Sequence, residues 1–333
     1  MEGSNNKFQI WKFKVCTIII MIILIFFEAI TLNVSASNPT TVTISPSTQT
    51  FSQGDTFSVS VACVPGQAIK AYEFKISFNP TYLQANLVSE GNIFSGYNTY
   101  FNSGTIDNND GKIIYIYGII IGSGDVTGSG TFVSIQFTAK SVSGTSTICI
   151  YDAGVTDDTS YIDIAVSNGS VQIDASSPQI SNILSSTSYP IDTDSQFGWV
   201  NISCDVTDNI DVSGVYIIIT KPDGSNINVS MSGINSYYYN SSTTFSSYGV
   251  YNYYIWTSDD YGNNDISSSS SITISPNWDI DMDGECTLYD LTLVSSRYTD
   301  TGSAGWIRED VDNNGEIQIL DIVLLSAHYN EAW

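Results

Sequence analysis

Phe57-Ser58-Val59-Ser60-Val61 places an apolar residue at every second position. Successive side chains of an extended strand point to opposite faces, so this period marks a strand with one buried and one wet face. Runs of the same character lie around it, and strands are expected at 41–45, 56–63, 71–78, 112–120, 131–139, 147–151 and 170–173. Pro65-Gly66, Asn79-Pro80, Asn109-Asp110-Gly111 and Gly122-Ser123-Gly124 punctuate them as turns. No stretch of this first block, 41–173, sustains a helical period. Each strand needs its apolar face covered, so the expected solution is two sheets packed face to face.

Moving outward, Asp174-Ala175-Ser176-Ser177-Pro178 reads as a polar hinge. A second block, 177–275, follows, with strands expected at 199–206, 212–220, 226–231, 236–239 and 249–256. Lys221-Pro222-Asp223-Gly224 is a strong turn signal between two of them. Ser267 to Ser271 precedes Ile272-Thr273-Ile274 and is assigned to the edge of a last strand. Size and spacing fit an immunoglobulin-like sandwich. Asp208-Asn209 and Trp256-Thr257-Ser258-Asp259-Asp260-Tyr261-Gly262-Asn263-Asn264 are similar to segments of such modules in surface proteins. The Tyr-rich stretches 237–239 and 251–254 are candidates for stacking on sugar rings, against the plainer reading as core and cross-strand pairs.

The 333 residues carry 10 Lys+Arg against 34 Asp+Glu, a formal net charge of -24. That balance argues against nucleic acid and against an anionic membrane surface, both of which need Lys and Arg partners. It fits a solvated extracellular surface, or carboxylates neutralised by cations. Residues 1–36 read as a signal peptide: Lys7, Lys12 and Lys14, a 13-residue apolar run from Val15 to Phe27, then Val34-Ser35-Ala36 as the cleavage signal. A run that short fits a secretory segment better than a spanning helix, the alternative being an uncleaved anchor; no later run has membrane length, so the mature chain is expected outside the cell or at its surface. Cys63, Cys149, Cys204 and Cys286 remain after cleavage, without CxxC spacing and with one His, so zinc is not expected. Cys63 and Cys149 are compatible with a disulfide or with two buried thiols.

The third block, 277–333, repeats itself with a shift of 31 residues. Its loops are Asp279-Ile280-Asp281-Met282-Asp283-Gly284-Glu285-Cys286-Thr287-Leu288-Tyr289-Asp290 and Asp310-Val311-Asp312-Asn313-Asn314-Gly315-Glu316-Ile317-Gln318-Ile319-Leu320-Asp321. Both have oxygen-bearing side chains at positions 1, 3, 5 and 12 and Gly at position 6. Calcium takes six to eight hard oxygen ligands at about 2.3–2.6 Å, and Gly permits the bend that turns the position 7 carbonyl inward. A solvated acidic turn explains one such loop; two matching loops, each running into an apolar helix, point to metal. Leu291, Val294 and Tyr298 suggest one helix face, and Ile322, Leu325, Ala327 and Tyr329 a second.

This block resembles the type I dockerin family, in which each calcium loop is followed by one helix. The resemblance implies two calcium ions, with ligands Asp279, Asp281, Asp283, Glu285 and Asp290, then Asp310, Asp312, Asn314, Glu316 and Asp321. It also implies partner contacts at positions 10 and 11, here Leu288, Tyr289, Ile319 and Leu320, more apolar than the hydroxyl residues usual in the family. Dockerins bind cohesins, and the first block resembles a cohesin. The matching stretches are Val42-Thr43-Ile44-Ser45, Gly54-Asp55-Thr56-Phe57-Ser58-Val59, Ala71-Tyr72-Glu73-Phe74-Lys75-Ile76-Ser77-Phe78-Asn79-Pro80 and Thr131-Phe132-Val133-Ser134-Ile135-Gln136-Phe137. This implies a nine-stranded jelly-roll sandwich whose sheet face binds a dockerin, with Glu73 as a contact.

The fold expected is therefore mainly β: a cohesin-like sandwich, an immunoglobulin-like sandwich and a small α-helical dockerin. The function expected is a secreted, non-catalytic scaffolding or adaptor protein with cohesin- or dockerin-bearing partners, in polysaccharide breakdown or a cell-surface assembly. The alternatives are a carbohydrate-binding surface protein, with polysaccharide as partner, and an accessory subunit of a glycoside hydrolase complex. No block has the size or α/β pattern of a usual hydrolase. The carboxylates outside the calcium loops, such as Asp107, Asp110, Asp157 and Asp158, fall in turns, so no catalytic pair is expected.

Overall fold

The computed structural model describes residues 38–188, 199–241 and 245–333. The expected signal peptide lies outside the described residues. Among the described residues no helix is long and apolar enough to cross a membrane.

The alternation that starts at Phe57 is realised as β3, Thr56–Val64, whose Phe57, Val59, Val61 and Cys63 are buried while their neighbours face outward. The other strands of the first block are β1 Thr40–Ser45, β2 Thr48–Ser52, β4 Ala71–Ser77, β5 Leu83–Glu90, β6 Thr99–Asp107, β7 Lys112–Ile120, β8 Gly130–Ala139, β9 Gly144–Thr156, β10 Ile164–Ser167 and β11 Gly169–Asp174. They form a five-stranded sheet, β10-β1-β3-β8-β5, and a six-stranded sheet, β2-β11-β9-β4-β7-β6. Most pairs are antiparallel, but β1–β10 and β2–β11 run parallel. Eleven strands thus replace the nine expected, because the short β2 and β10 extend the two sheets at their edges.

The inner faces share one core running from Val42 to Ile173. Tyr72 of β4 stacks on Phe132 of β8 at 4.1 Å between ring centroids, and its hydroxyl donates to the Phe132 carbonyl at 2.9 Å. The tyrosine thus buries its ring and still satisfies its polar end, joining the two sheets at one point.

The second block contains β12 Gln179–Thr187, β13 Val200–Thr207, β14 Gly214–Thr220, β15 Asn226–Ser230, β16 Ser232–Ile234, β17 Ser236–Ser241, β18 Gly249–Ser258, β19 Asn264–Ile266 and β20 Ser270–Ile274. These build two further sheets, β12-β13-β17-β16 and β15-β14-β18-β19, with β20 on β18. One apolar cluster from Val200 to Ile274 fills the space between them. The tyrosine stretches serve that core: Tyr239, Tyr251 and Tyr253 are buried, Tyr237 packs against the cluster, and Tyr238 alone is strongly exposed. No row of tyrosine faces is left open on these two stretches.

The third block has two helices, α1 Leu288–Ser296 and α2 Ile319–Ser326. Val294 and Leu325 are fully buried, and Leu291 and Ile322 pack beside them. Tyr298 and Tyr329 lie past the helix ends and are about half exposed, contrary to the helix faces expected for them. Ala327, at the C-cap of α2, is likewise exposed.

All four cysteines of the described residues are free thiols. Cys63 and Cys149 therefore do not form the disulfide that composition allowed. Burial pushes the Cys63 thiol up to about 12 and the Cys286 thiol to about 11.

Candidate metal centre and docking surfaces

The shift of 31 residues maps the third block onto itself in three dimensions. Gly284 and Gly315 have φ of 99° and 90°, and Met282 and Asn313 have 62° and 55°. The left-handed turn at these positions folds each loop back on its first residue. Gly284 N–H donates to Asp279 at 3.0 Å, and Gly315 N–H donates to Asp310 at 2.9 Å.

The last residue of each loop locks it from the other side. Asp290 accepts from Ile280 N–H at 2.9 Å and Thr287 N–H at 2.7 Å. Asp321 accepts from Asp312 N–H at 3.2 Å and Gln318 N–H at 2.8 Å. Both are the third residues of their helices and close capping boxes with Thr287 and Gln318. One carboxylate thus ties helix start and acidic loop together.

The halves also exchange backbone pairs. Glu285 bridges Ala332, and Glu316 bridges Thr301, which are equivalent positions in the repeat. Cys286 N–H donates to Glu331 O at 2.8 Å, and Ile317 N–H donates to Asp300 O at 2.9 Å. Each loop is therefore braced by the tail that follows the opposite helix. Beneath them Cys286, Ile317, Val294 and Leu325 join Trp278 and Ile280 in a small core. Buried Arg308 donates to Pro276 O at 2.6 Å and Asp279 O at 2.7 Å, holding the first loop against the segment between the halves.

The result is two carboxylate clusters. Oxygens of Asp279, Asp281 and Asp290 lie within 4.8 Å of one another, as do those of Asp310, Asp312 and Asp321. Asp279, Asp290 and Asp321 are fully buried and Asp310 nearly so. Burial first, then the neighbouring carboxylates, holds Asp281 and Asp310 above the usual carboxylate range. Like charges so enclosed are costly without a cation, and an all-oxygen donor set suits calcium or magnesium rather than zinc. Of the remaining expected ligands, Asp283 and Asn314 sit on the outer side and accept from Glu285 N–H at 3.0 Å and Glu316 N–H at 2.8 Å. The Glu285 and Glu316 side chains are exposed, so these positions would contribute backbone carbonyls.

Leu288, Tyr289, Ile319 and Leu320 occupy the first turns of α1 and α2 and are exposed, together with Val323 and Leu324. They form apolar surface on equivalent faces of the two halves. The sequence reading had not singled out Val323 and Leu324. Their helix phase relative to buried Leu325 and Asp321 was the available signal.

Glu73 lies on β4 and is exposed; its carboxylate accepts from the Tyr161 hydroxyl at 2.5 Å. With Tyr117, Gly118 and Gly154 it lines a shallow depression of about 300 Å³ on the six-stranded sheet. The absence of side chains at Gly118 and Gly154 leaves room there for the rings of Tyr72 and Tyr161. The carboxylates set aside as turn residues behave as such: Asp157 accepts from Thr159 and Ser160 N–H groups, which hold it below the usual range, and Asp110 and Asp158 pair with Lys112 and Lys70.

Residues 40–173 match the family model of the cohesin domain. The first block is similar to the cohesin domain over its whole length. Solved structures similar to part of the chain include the non-cellulosomal cohesin of the hyperthermophilic archaeon Archaeoglobus fulgidus, at 18% identity and TM-score 0.34, covering 41% of this chain and 92% of that one. A type I cohesin–dockerin complex of Clostridium thermocellum, Coh-OlpC-Doc435, is 18% identical with TM-score 0.35, covering 41% and 94%. The sixth cohesin of scaffoldin B from Acetivibrio cellulolyticus, in complex with a Cel5 dockerin, is 20% identical with TM-score 0.34, covering 41% and 100%. No curated protein matches the chain.

Proposed function

We propose that this is an exported, non-catalytic docking protein with a receptor module at 40–173, an immunoglobulin-like spacer, and a calcium-folded dockerin plug at 277–333. The match of residues 40–173 to the cohesin domain carries the receptor half of this reading. The plug half is supported by the paired loops, whose six converging carboxylates need cations and whose helices present equivalent apolar turns. The cohesin domain would receive dockerin-bearing partners on the sheet that carries Glu73. The plug would enter a cohesin on another chain, with Leu288 and Tyr289, or Ile319 and Leu320, at the contact. If the two ends of this chain recognise each other, association is head-to-tail and open-ended.

Sedimentation of the full chain with calcium and then with EDTA, alone and mixed with a dockerin-bearing and a cohesin-bearing protein, tests this. Calcium-dependent complexes are expected, weakened at least tenfold by Tyr289→Ser combined with Leu320→Ser. A chain that stays monomeric in every mixture, with and without calcium, overturns the docking reading.

A further inference from the structure

A third group of carboxylates lies at the junction of the first two blocks, outside both loops. Asp174 is the last residue of β11, Asp208 follows β13 and Asp259 follows β18. One oxygen from each falls within 4.8 Å of the others. Asp174 is fully buried and Asp259 is 5% exposed.

The hydrogen bonds around the group leave part of it unmatched. Asp208 Oδ1 accepts from Ile210 N–H at 2.9 Å and Asp211 N–H at 3.2 Å. Asp259 Oδ1 accepts from Tyr261 N–H at 2.8 Å and Asn263 N–H at 2.9 Å, and its Oδ2 accepts from the Asn263 amide at 2.7 Å. Asp174 Oδ1 accepts from Ser176 N–H at 3.2 Å and the Asn209 amide at 3.3 Å. These bonds orient all three side chains. Asp174 Oδ2 and Asp208 Oδ2, by contrast, are buried without a hydrogen-bond partner. Among the described residues no Lys, Arg or His forms an ion pair with any of the three.

Buried carboxylate oxygens are hydrogen-bonded, paired or bound to metal, because stripping them of water without compensation costs several kcal/mol. Here compensation from the protein is missing on two oxygens that belong to one cluster. We infer that Asp174, Asp208 and Asp259 form a calcium site that joins the cohesin domain to the block that follows it. The donors are hard oxygens only, and three carboxylates offer more negative charge than one divalent ion neutralises. Desolvation, with Asp208 and Asp259 adding to it, raises Asp174 above the usual carboxylate range, which is the direction expected of a ligand without its cation. The junction is already in contact on its protein side: the Ser52 hydroxyl donates to Tyr261 O at 2.7 Å, beside the Asp259 loop. A shared ion would fix the angle between the two blocks, which the polar segment 174–178 alone would leave free.

Counting calcium bound per full-length chain by equilibrium dialysis, after complete removal of metal, tests the site. With both C-terminal loops loaded, the unchanged chain binds three ions, Asp208→Asn binds two, and Asp260→Asn, a neighbouring exposed carboxylate, keeps three. Should the C-terminal loops hold none, the counts become one, none and one, so failure of the plug and failure of this site are told apart. Equal counts for the unchanged chain and Asp208→Asn overturn the proposal. A second readout needs no variant: calcium should slow proteolytic cleavage at 175–178 by at least tenfold. Cleavage there at the same rate in calcium and in EDTA overturns it equally.

Discussion

The first and third blocks solve the same problem with different materials. The first block closes two sheets over a continuous apolar core from Val42 to Ile173. The third block encloses six apolar side chains and, beside them, the carboxylates of Asp279, Asp290, Asp310 and Asp321. Burying apolar surface stabilises at roughly 25 cal/mol per Å², whatever ions are present. Burying like charges destabilises until a cation arrives, after which the same groups hold the fold together. On the proposed reading, stability in this one chain is unconditional at one end and conditional on calcium at the other.

Removing calcium should separate the two most sharply. Cys63 and Cys286 are both fully buried thiols, one in each kind of core. In EDTA with iodoacetamide, Cys286 is expected to become alkylated while Cys63 and Cys204 stay protected; Cys149, only partly buried, reacts under both conditions. Mass spectrometry of the peptides reads this directly. Protection of Cys286 in excess EDTA would remove the distinction.

Core truncation should sharpen it. Phe132→Ala removes a buried ring from the stack with Tyr72 and is expected to cost about 3–5 kcal/mol. The loss should be the same with and without calcium. Leu325→Ala is expected to cost about 2–5 kcal/mol, and raising calcium should recover part of it through mass action. Denaturant midpoints at several calcium concentrations distinguish the two behaviours.

The smallest effect lies inside the repeat. Met282 adopts φ of 62°, where its counterpart is Asn313 at 55°. Asn tolerates the left-handed region better than an unbranched apolar side chain does. Met282→Asn should therefore stabilise the calcium-loaded block by about 0.5–1 kcal/mol. A lower melting temperature for this variant would show that the two halves are not energetically equivalent at that position.

Much of this was legible in the chain. The period of two at 57–61 fixed β3 to within a residue, and the shift of 31 identified which buried groups are equivalent. Strands β5 and β6 escaped notice for physical reasons. β5 is bulged between Ala85 and Leu87, so its alternation changes phase part-way. β6 is an edge strand with no fully buried residue, so it lacks an apolar face to recognise. The Asp174–Asp208–Asp259 cluster was hidden for another reason. Its members come from three separate strand ends and meet only once both sandwiches are built. The loops at 279–290 and 310–321 carry their carboxylates in one short segment each, where spacing alone groups them.

The parallel pairing of β2 with β11 bears on how the first block behaves under load. Thr48 to Ser52 lies alongside Ser170 to Asp174 in register. Tension applied before Thr40 is borne first by β1, between β10 and β3; once it reaches β2 it draws that strand backwards, and a pull after Asp174 draws β11 forwards. Two parallel strands drawn in opposite directions slide along their common length, so the bonds between them bear tension together rather than parting in turn like a zip. A tether built from this module would resist drag along the chain far better than force that peels β11 away from its end.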